Sequence, residues 1–176
     1  MNLLLHACCG PCAIKCVESL KAESISPTLF YFNPNIHPFL EYESRRESLL
    51  KLADETATPA IIHGAYGLKD FLNALNGEFD HRCGICYQIR LEETAKYAKE
   101  NDFDGFTSTL LISPYQNHKT IIKSGEAAAS KFDIPFLYRD FRPLFREGQK
   151  AAREMGLYMQ KYCGCVFSEE ERYRQI

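Results

Sequence analysis

The sequence predicts an α/β domain of three layers, with a mainly parallel sheet between flanking helices. Two observations lead to it. Short apolar runs of strand-like composition alternate with segments of helical periodicity, the order expected of β-α-β units. Residues able to do chemistry also fall just after the apolar runs, where open parallel sheets bind their ligands. The length of 176 residues fits one domain, 1–176, with its own core.

Leu3-Leu4-Leu5-His6-Ala7 reads as a short buried strand and Cys8-Cys9-Gly10-Pro11-Cys12 as the loop after it. Ala13 to Ala22 is a helix whose Ile14, Val17, Leu20 and Lys21 share one side, with Pro11 near its start, where proline is tolerated. Thr28 to Phe32 is a second strand, apolar enough to be covered on both faces. The turn-rich segment 33–38 leads to a long helix over Phe39 to Ala57. Tyr42, Leu49, Leu50 and Ala53 mark its inner stripe, and Glu41, Glu43, Arg45, Arg46 and Glu47 its wet side. Ala60 to His63 is a third strand, followed by helices over Leu68 to Leu75 and Gly84 to Lys99. Gly105 to Thr109 is a fourth strand and His118 to Phe132 a helix. Pro135 to Tyr138 is a last strand and Pro143 to Gly156 a last helix. The segment 158–176 is expected to fold back and supply cysteine ligands.

Net charge is −2, which sets up no global positive field for nucleic acid and leaves room only for a local basic face. Arg139, Arg142, Arg146, Lys150 and Arg153 form such a run, read as a solvated surface or as a grip on phosphates, with Tyr138, Phe141 and Phe145 nearby for base stacking. The apolar start, Met1 to Leu5, is too short for a signal h-region or a membrane span, so a cytoplasmic protein without a membrane partner is expected.

Cysteine is the anomaly. Eight occur, in tight clusters divided by long cysteine-free segments. Neighbours such as Cys163-Gly164-Cys165 are poor disulfide partners for each other and good joint metal ligands. Cys8, Cys9 and Cys12 sit at a strand-to-helix junction, where a helix N-terminus favours thiolates. Cys9 and Cys12 alone would also suit a thioredoxin-type dithiol. Cys83 and Cys86 share one helical stripe with Tyr87 and Arg90. Gly164 allows a tight fold between Cys163 and Cys165. These seven exceed the four that one zinc or one cubane cluster uses, which suggests one cluster plus a second metal, or one cluster plus a free reactive pair. Cys16 is read as a small buried hydrophobe. A structural zinc is the bland alternative.

Six ordered motifs then carry a family resemblance. They are His6 through Cys12, Tyr31 through Pro38, Arg82 through Tyr87 with Arg90-Leu91, Thr107 through Tyr115, Asp140-Phe141-Arg142, and Tyr162 through Cys165. Together they resemble the cobalamin-independent epoxyqueuosine reductases, the QueH family, from residue 3 to about residue 168. The resemblance implies reduction of the epoxide of epoxyqueuosine to the alkene of queuosine at the wobble position of tRNA. It also implies a [4Fe–4S] cluster with a second mononuclear metal, iron or zinc, and a nucleotide α-hydrolase (HUP)-like fold. A Lewis-acidic metal would stabilise negative charge developing on the epoxide oxygen. No glycine-rich dinucleotide fingerprint is present, so an external low-potential donor, ferredoxin- or flavodoxin-like, is expected to reload the cluster. The rival class, an ATP-dependent PP-loop enzyme, is disfavoured because Pro11 removes a backbone donor from the phosphate-loop position.

The cluster is expected on Cys9, Cys83, Cys86 and one of Cys163 and Cys165. Cys8, Cys12 or the remainder then hold the second metal, with Asp140 as a further ligand. Tyr115, Tyr87, His6 and Asp140 are candidate proton donors. Asn33, Asn35, Arg90, Ser108, Thr109 and Arg142 are candidate substrate contacts.

Overall fold

A computed structural model describes residues 1–174. Its strands are β1 (Asn2–His6), β2 (Ser26–Tyr31), β3 (Ala60–Ile62) and β4 (Gly105–Ser108). They form one parallel sheet in the order β3-β2-β1-β4. Leu3, Leu4 and Leu5 of β1 are fully buried, as a central strand covered on both faces requires.

The helices are α1 (Gly10–Ala22), α2 (Phe39–Glu55), α3 (Leu68–Leu75), α4 (Arg82–Glu100), α5 (His118–Phe132), α6 (Phe145–Glu154) and α7 (Val166–Tyr173). The chain steps from β1 to β2 to β3 in one direction and then crosses back to β4. Right-handed crossovers therefore place α1 and α2 on one face and α4 and α5 on the other. The observed packing agrees: α1 rests on α2 and α6, while α4 rests on α5, β1 and β4. The direction of winding reverses between β1 and β4. Connections leaving these two strands diverge to opposite faces and open a crevice at their carboxyl ends. Position His6 is paired with Ser108 in the register, so the residues after β1 and after β4 face each other there.

Several elements differ from expectation for identifiable reasons. The segment expected as strand 135–138 makes a single bridge, Phe106 with Phe136, and Pro135, lacking a backbone N–H, closes the ladder on its N-terminal side. Cys9 takes extended backbone as the N-cap of α1, so the helix starts at Gly10, inside the expected loop. Lys21 is exposed rather than on the buried side of α1, where Ala13, Ile14, Cys16, Val17 and Leu20 lie. On α2 the stripe runs Tyr42, Arg45, Leu49, Leu52, the spacing of one helical face. Arg45, expected on the wet side, is 1% exposed, and Leu50, expected inside, is 40% exposed. Helix α7 follows Cys165 and was not anticipated. The last two positions of the expected 158–176 segment lie outside the described residues. Among the described residues no helix is long and apolar enough to cross a membrane.

Candidate metal centre

Two sulfur sets meet at the carboxyl end of the sheet. The first comes from the β1-α1 junction. The sulfurs of Cys8, Cys9 and Cys12 all lie within 4.8 Å of one another, with Cys8 and Cys9 3.7 Å apart, and all three residues are buried. Tetrahedral ligands on metal–sulfur bonds of about 2.3 Å sit roughly 3.8 Å apart, so this spacing suits one ion. The outer sulfurs of a cubane cluster stand roughly 6 Å apart, which is wider than this set allows. Hydrogen bonding from Cys12 and Cys9 holds the Cys8 thiol well below its ordinary value, helped by the charges of Arg90 and Arg45. Burial pushes Cys9 up. Around the set, Gln160 Nε2 donates to Cys12 Sγ at 3.2 Å, and Thr109 Oγ1 lies 3.9 Å from Cys8 Sγ. Gly10 holds the junction close to α2: a Cβ there would sit 2.6 Å from the carbonyl oxygen of Ser48. Cys16 bonds its own helix, donating to Cys12 O at 3.3 Å, and stays outside the set.

The second set comes from two segments 80 residues apart in sequence. Cys83 and Cys86 from the first turn of α4, and Cys163 and Cys165 from the C-terminal segment, line one cavity of about 300 Å³ including its mouth. Cys86 and Cys165 are buried, whereas Cys83 and Cys163 face solvent. The thiol of Cys163 is drawn down to about 5, chiefly by its hydrogen bond with Cys165. Burial lifts Cys86 to about 11. All eight cysteines are free thiols.

The C-terminal segment is tied down by α2 and the 33–38 loop. Arg45 donates Nη2 to Tyr162 O at 2.8 Å, Nη1 to Cys163 O at 2.9 Å and Nε to the Glu41 carboxylate at 2.7 Å. The His37 backbone N–H donates to Gly164 O at 2.8 Å, and Tyr162 Oη donates to His37 O at 2.5 Å. Gly164 has φ +127°, and a Cβ there would stand 2.9 Å from Ile36 Cγ1 and 3.2 Å from Arg45 Nη1. Gly164→Ala is therefore expected to cost about 1–3 kcal/mol of stability. Equilibrium urea unfolding checks it, and an unchanged midpoint would count against the tight docking.

Arg90 lies between the sulfur sets, fully buried, and its charge acts on Cys86, Cys8 and Cys163 alike. Among the described residues no carboxylate lies within 4.0 Å of it. Its Nη1 donates to Asn33 Oδ1 at 3.3 Å, and Asn33 Nδ2 donates to Ala7 O at 2.9 Å. Arg90 Nε, Arg82 Nε and Asn35 Oδ1 are buried without partners, and all three residues line the cavity. Orphaned N–H donors and an unpaired buried cation beside thiols suit an anionic, sulfur-rich occupant.

The other candidates separate clearly. Tyr87 lines the cavity; its Oη donates to Gln116 Oε1 at 2.5 Å and accepts from Asn117 N at 3.3 Å. Burial raises it to about 12, so it keeps its proton at neutral pH. His6 is fully buried, and burial followed by the Arg90 charge lowers it to about 3, so it is neutral. Its Nε2 meets Phe32 O at 3.2 Å and must donate; Nδ1 then accepts from Ser108 Oγ at 2.9 Å. His6 thus ties together the ends of three strands. Ser108 Oγ also accepts from Leu110 N, turning the chain after β4 towards Cys8. Asp140 and Arg142 pair with each other at the surface, at 2.7 Å, and neither lines the cavity. Tyr115 is 85% exposed. In the basic run, Arg139 pairs with Glu23, and Phe141 belongs to the core.

Sequence reasoning missed Arg45, Arg82, Gln116 and Gln160. Arg45 had a signal: it falls three after Tyr42 and four before Leu49, on the apolar stripe. Gln160 had none, because its role depends on a contact with Cys12, 148 positions away.

Three comparisons bear on this site. The family described as epoxyqueuosine reductase QueH matches residues 3–171. Epoxyqueuosine reductase QueH of Dehalococcoides mccartyi is 36% identical over 98% of this chain and 94% of that protein. The protein of the same name from Thermotoga maritima is 34% identical over 97% of this chain and 92% of its own length. A crystal structure described as a predicted subunit of tRNA methyltransferase from Methanocaldococcus jannaschii superposes with a TM-score of 0.58. It is 14% identical, covers 88% of this chain and 76% of the other, and shares the fold alone. The fold is the α/β class, a parallel sheet between flanking helices, that the sequence predicts.

Proposed function

The chain belongs to the QueH family of epoxyqueuosine reductases, and from that premise we propose how its cysteines divide the work. A [4Fe–4S] cluster is assigned to Cys83, Cys86, Cys163 and Cys165, and a mononuclear metal, iron or zinc, to Cys8, Cys9 and Cys12. The observation that carries this is the convergence of seven sulfurs, from three distant segments, into a tight trio and a cavity-lining quartet at the carboxyl end of the sheet. The assignment moves Cys9 from the cluster to the single ion, because its sulfur lies with Cys8 and Cys12. Cys8, Cys9 and Cys12 would hold the ion with three protein ligands, the number typical of catalytic rather than structural sites.

The reaction removes the epoxide oxygen of epoxyqueuosine in tRNA as water, leaves an alkene, and consumes two electrons and two protons. When bound, the cluster supplies electrons one at a time and the ion a Lewis acid. The chain supplies the rest. Arg90 provides a fixed positive charge where negative charge gathers, and buried surroundings strengthen it. Tyr87 Oη holds a proton at the cavity wall, and its weak acidity suits delivery to a strongly basic alkoxide. Asn35, after β2, lines the cavity with an unpartnered Oδ1 and offers a hydrogen bond to the base, whereas Asn33 and Ser108 are committed to Arg90 and His6 and act by positioning them. Cys83 and Cys163 form the solvent-facing edge, which is where an external ferredoxin- or flavodoxin-like donor can deliver electrons.

The test is purification without oxygen, assay of iron and acid-labile sulfide, and turnover of epoxyqueuosine-containing tRNA with a chemically reduced donor. Brown protein with sulfide and queuosine formation is the expected result. Colourless protein holding only zinc, without turnover, would refute the reading.

A further inference from the structure

We propose that Tyr115, braced by Phe145, is a stacking platform for a nucleotide of single-stranded RNA next to the one that enters the cavity, with Arg146 and Lys119 meeting its phosphates. The inference rests on the tRNA reading above and adds to it a surface and a mode of recognition.

Tyr115 is an aromatic ring 85% exposed to water, which contributes little to the core. It is nevertheless held on a constrained loop. Ser113 Oγ accepts from Tyr115 N at 3.2 Å, and Tyr87 Oη fixes both Gln116 Oε1 and Asn117 N. Asn117 Oδ1 in turn caps α5 by accepting from Thr120 N at 3.1 Å. The ring meets Phe145 edge to face, with centroids 5.8 Å apart, which steadies it with one face free. A ring ordered in advance loses little entropy when a base covers it. Its neighbour Gln116 lines the cavity, so Tyr115 is one residue along the chain from the cavity wall. A second ring pair, His118 with Tyr138, follows at the start of α5, joined at 3.1 Å between His118 Nε2 and Tyr138 Oη. Arg146 follows Phe145, Lys119 follows His118, and both are exposed. Neither forms an ion pair among the described residues, unlike Arg139 and Arg142. Exposed rings beside uncommitted cations are what unpaired RNA recognises, because every base has a π-face and every nucleotide a phosphate.

Stacking and proton donation by Tyr115 make opposite demands. Stacking needs the ring, whereas proton transfer needs the hydroxyl. The experiment measures binding of an anticodon stem-loop RNA to anaerobically purified protein, with a fully paired RNA of equal length as control. Tyr115→Ala is expected to weaken stem-loop binding by about 5- to 100-fold, from the usual worth of one base–aromatic stack. It should raise KM for tRNA with little change in kcat, and leave the paired control unaffected. Tyr115→Phe should match the wild type within about twofold, since the stack persists. Stem-loop affinity unchanged in Tyr115→Ala would overturn the platform, as would a Tyr115→Phe protein as impaired as Tyr115→Ala. Because the ring is exposed, both variants should melt with the wild type. Wild-type protein that binds no stem-loop would overturn the tRNA reading itself, a different failure from loss of the Tyr115 effect alone.

Discussion

The Cys86→Ala protein, purified without oxygen, is expected to lose about four irons and their inorganic sulfide per chain, the content of one cubane cluster. Cys86 is the buried member of the α4 pair, and its sulfur looks into the cavity with Cys165. Removing it leaves three ligands, two of them on the solvent side. The Cys12→Ala protein should behave differently. It should keep its labile sulfide and lose about one metal, because its sulfur belongs to the narrow set suited to a single ion. Turnover should fall below detection in both. Cys9→Ala is the decisive third variant, since Cys9 follows Cys8 in sequence yet could in principle serve either centre. Metal and sulfide assays on these three proteins and on Cys165→Ala separate the cases. Loss of sulfide from Cys9→Ala, with retention in Cys165→Ala, would sink the division of sulfurs proposed here.

Arg45→Leu is expected to cost about 3–5 kcal/mol, the usual penalty for breaking a buried ion pair by removing one partner. Arg45 is 1% exposed and Glu41 10% exposed, so solvent cannot replace what is lost. The Glu41 carboxylate loses its cation, and the Tyr162 and Cys163 carbonyls lose their donors. These carbonyls lie on the segment that carries two cavity cysteines, so the same change should free it to proteases and lower iron content. Arg45→Lys should recover only part of the effect, because an ammonium is a point charge and cannot span a carboxylate and two carbonyls in fixed directions. Urea unfolding and limited proteolysis measure both consequences. A variant within about 1 kcal/mol of wild type would mean that the segment docks without Arg45.

Local features were legible from the chain because they repeat over short distances. The buried run Leu3 to Leu5, the helical spacing of α5 and the two-residue C-x-C each depend on neighbours within a turn or two. Strand propensity over 135–138 does not distinguish a ladder from the single bridge that forms beside proline. The charge of Arg45 points to water while its position on the stripe points inward, and a charge is stable inside only if distant groups satisfy it.

Four strands, most of the helices, the three cysteine clusters and the family motifs were legible in the amino-acid sequence alone, through composition, periodicity and short motifs. The grouping of sulfurs was decided by the tertiary structure: Cys9 with Cys8 and Cys12, and Cys83 and Cys86 with a returning C-terminal segment. The same holds for Arg90, buried beside both sets, and for the exposure of Tyr115. The reason is physical. Spacing along a chain determines which residues share a turn, whereas the meeting of residues 8, 83 and 163 depends on the reversal of winding between β1 and β4 and on Arg45 holding a distant backbone.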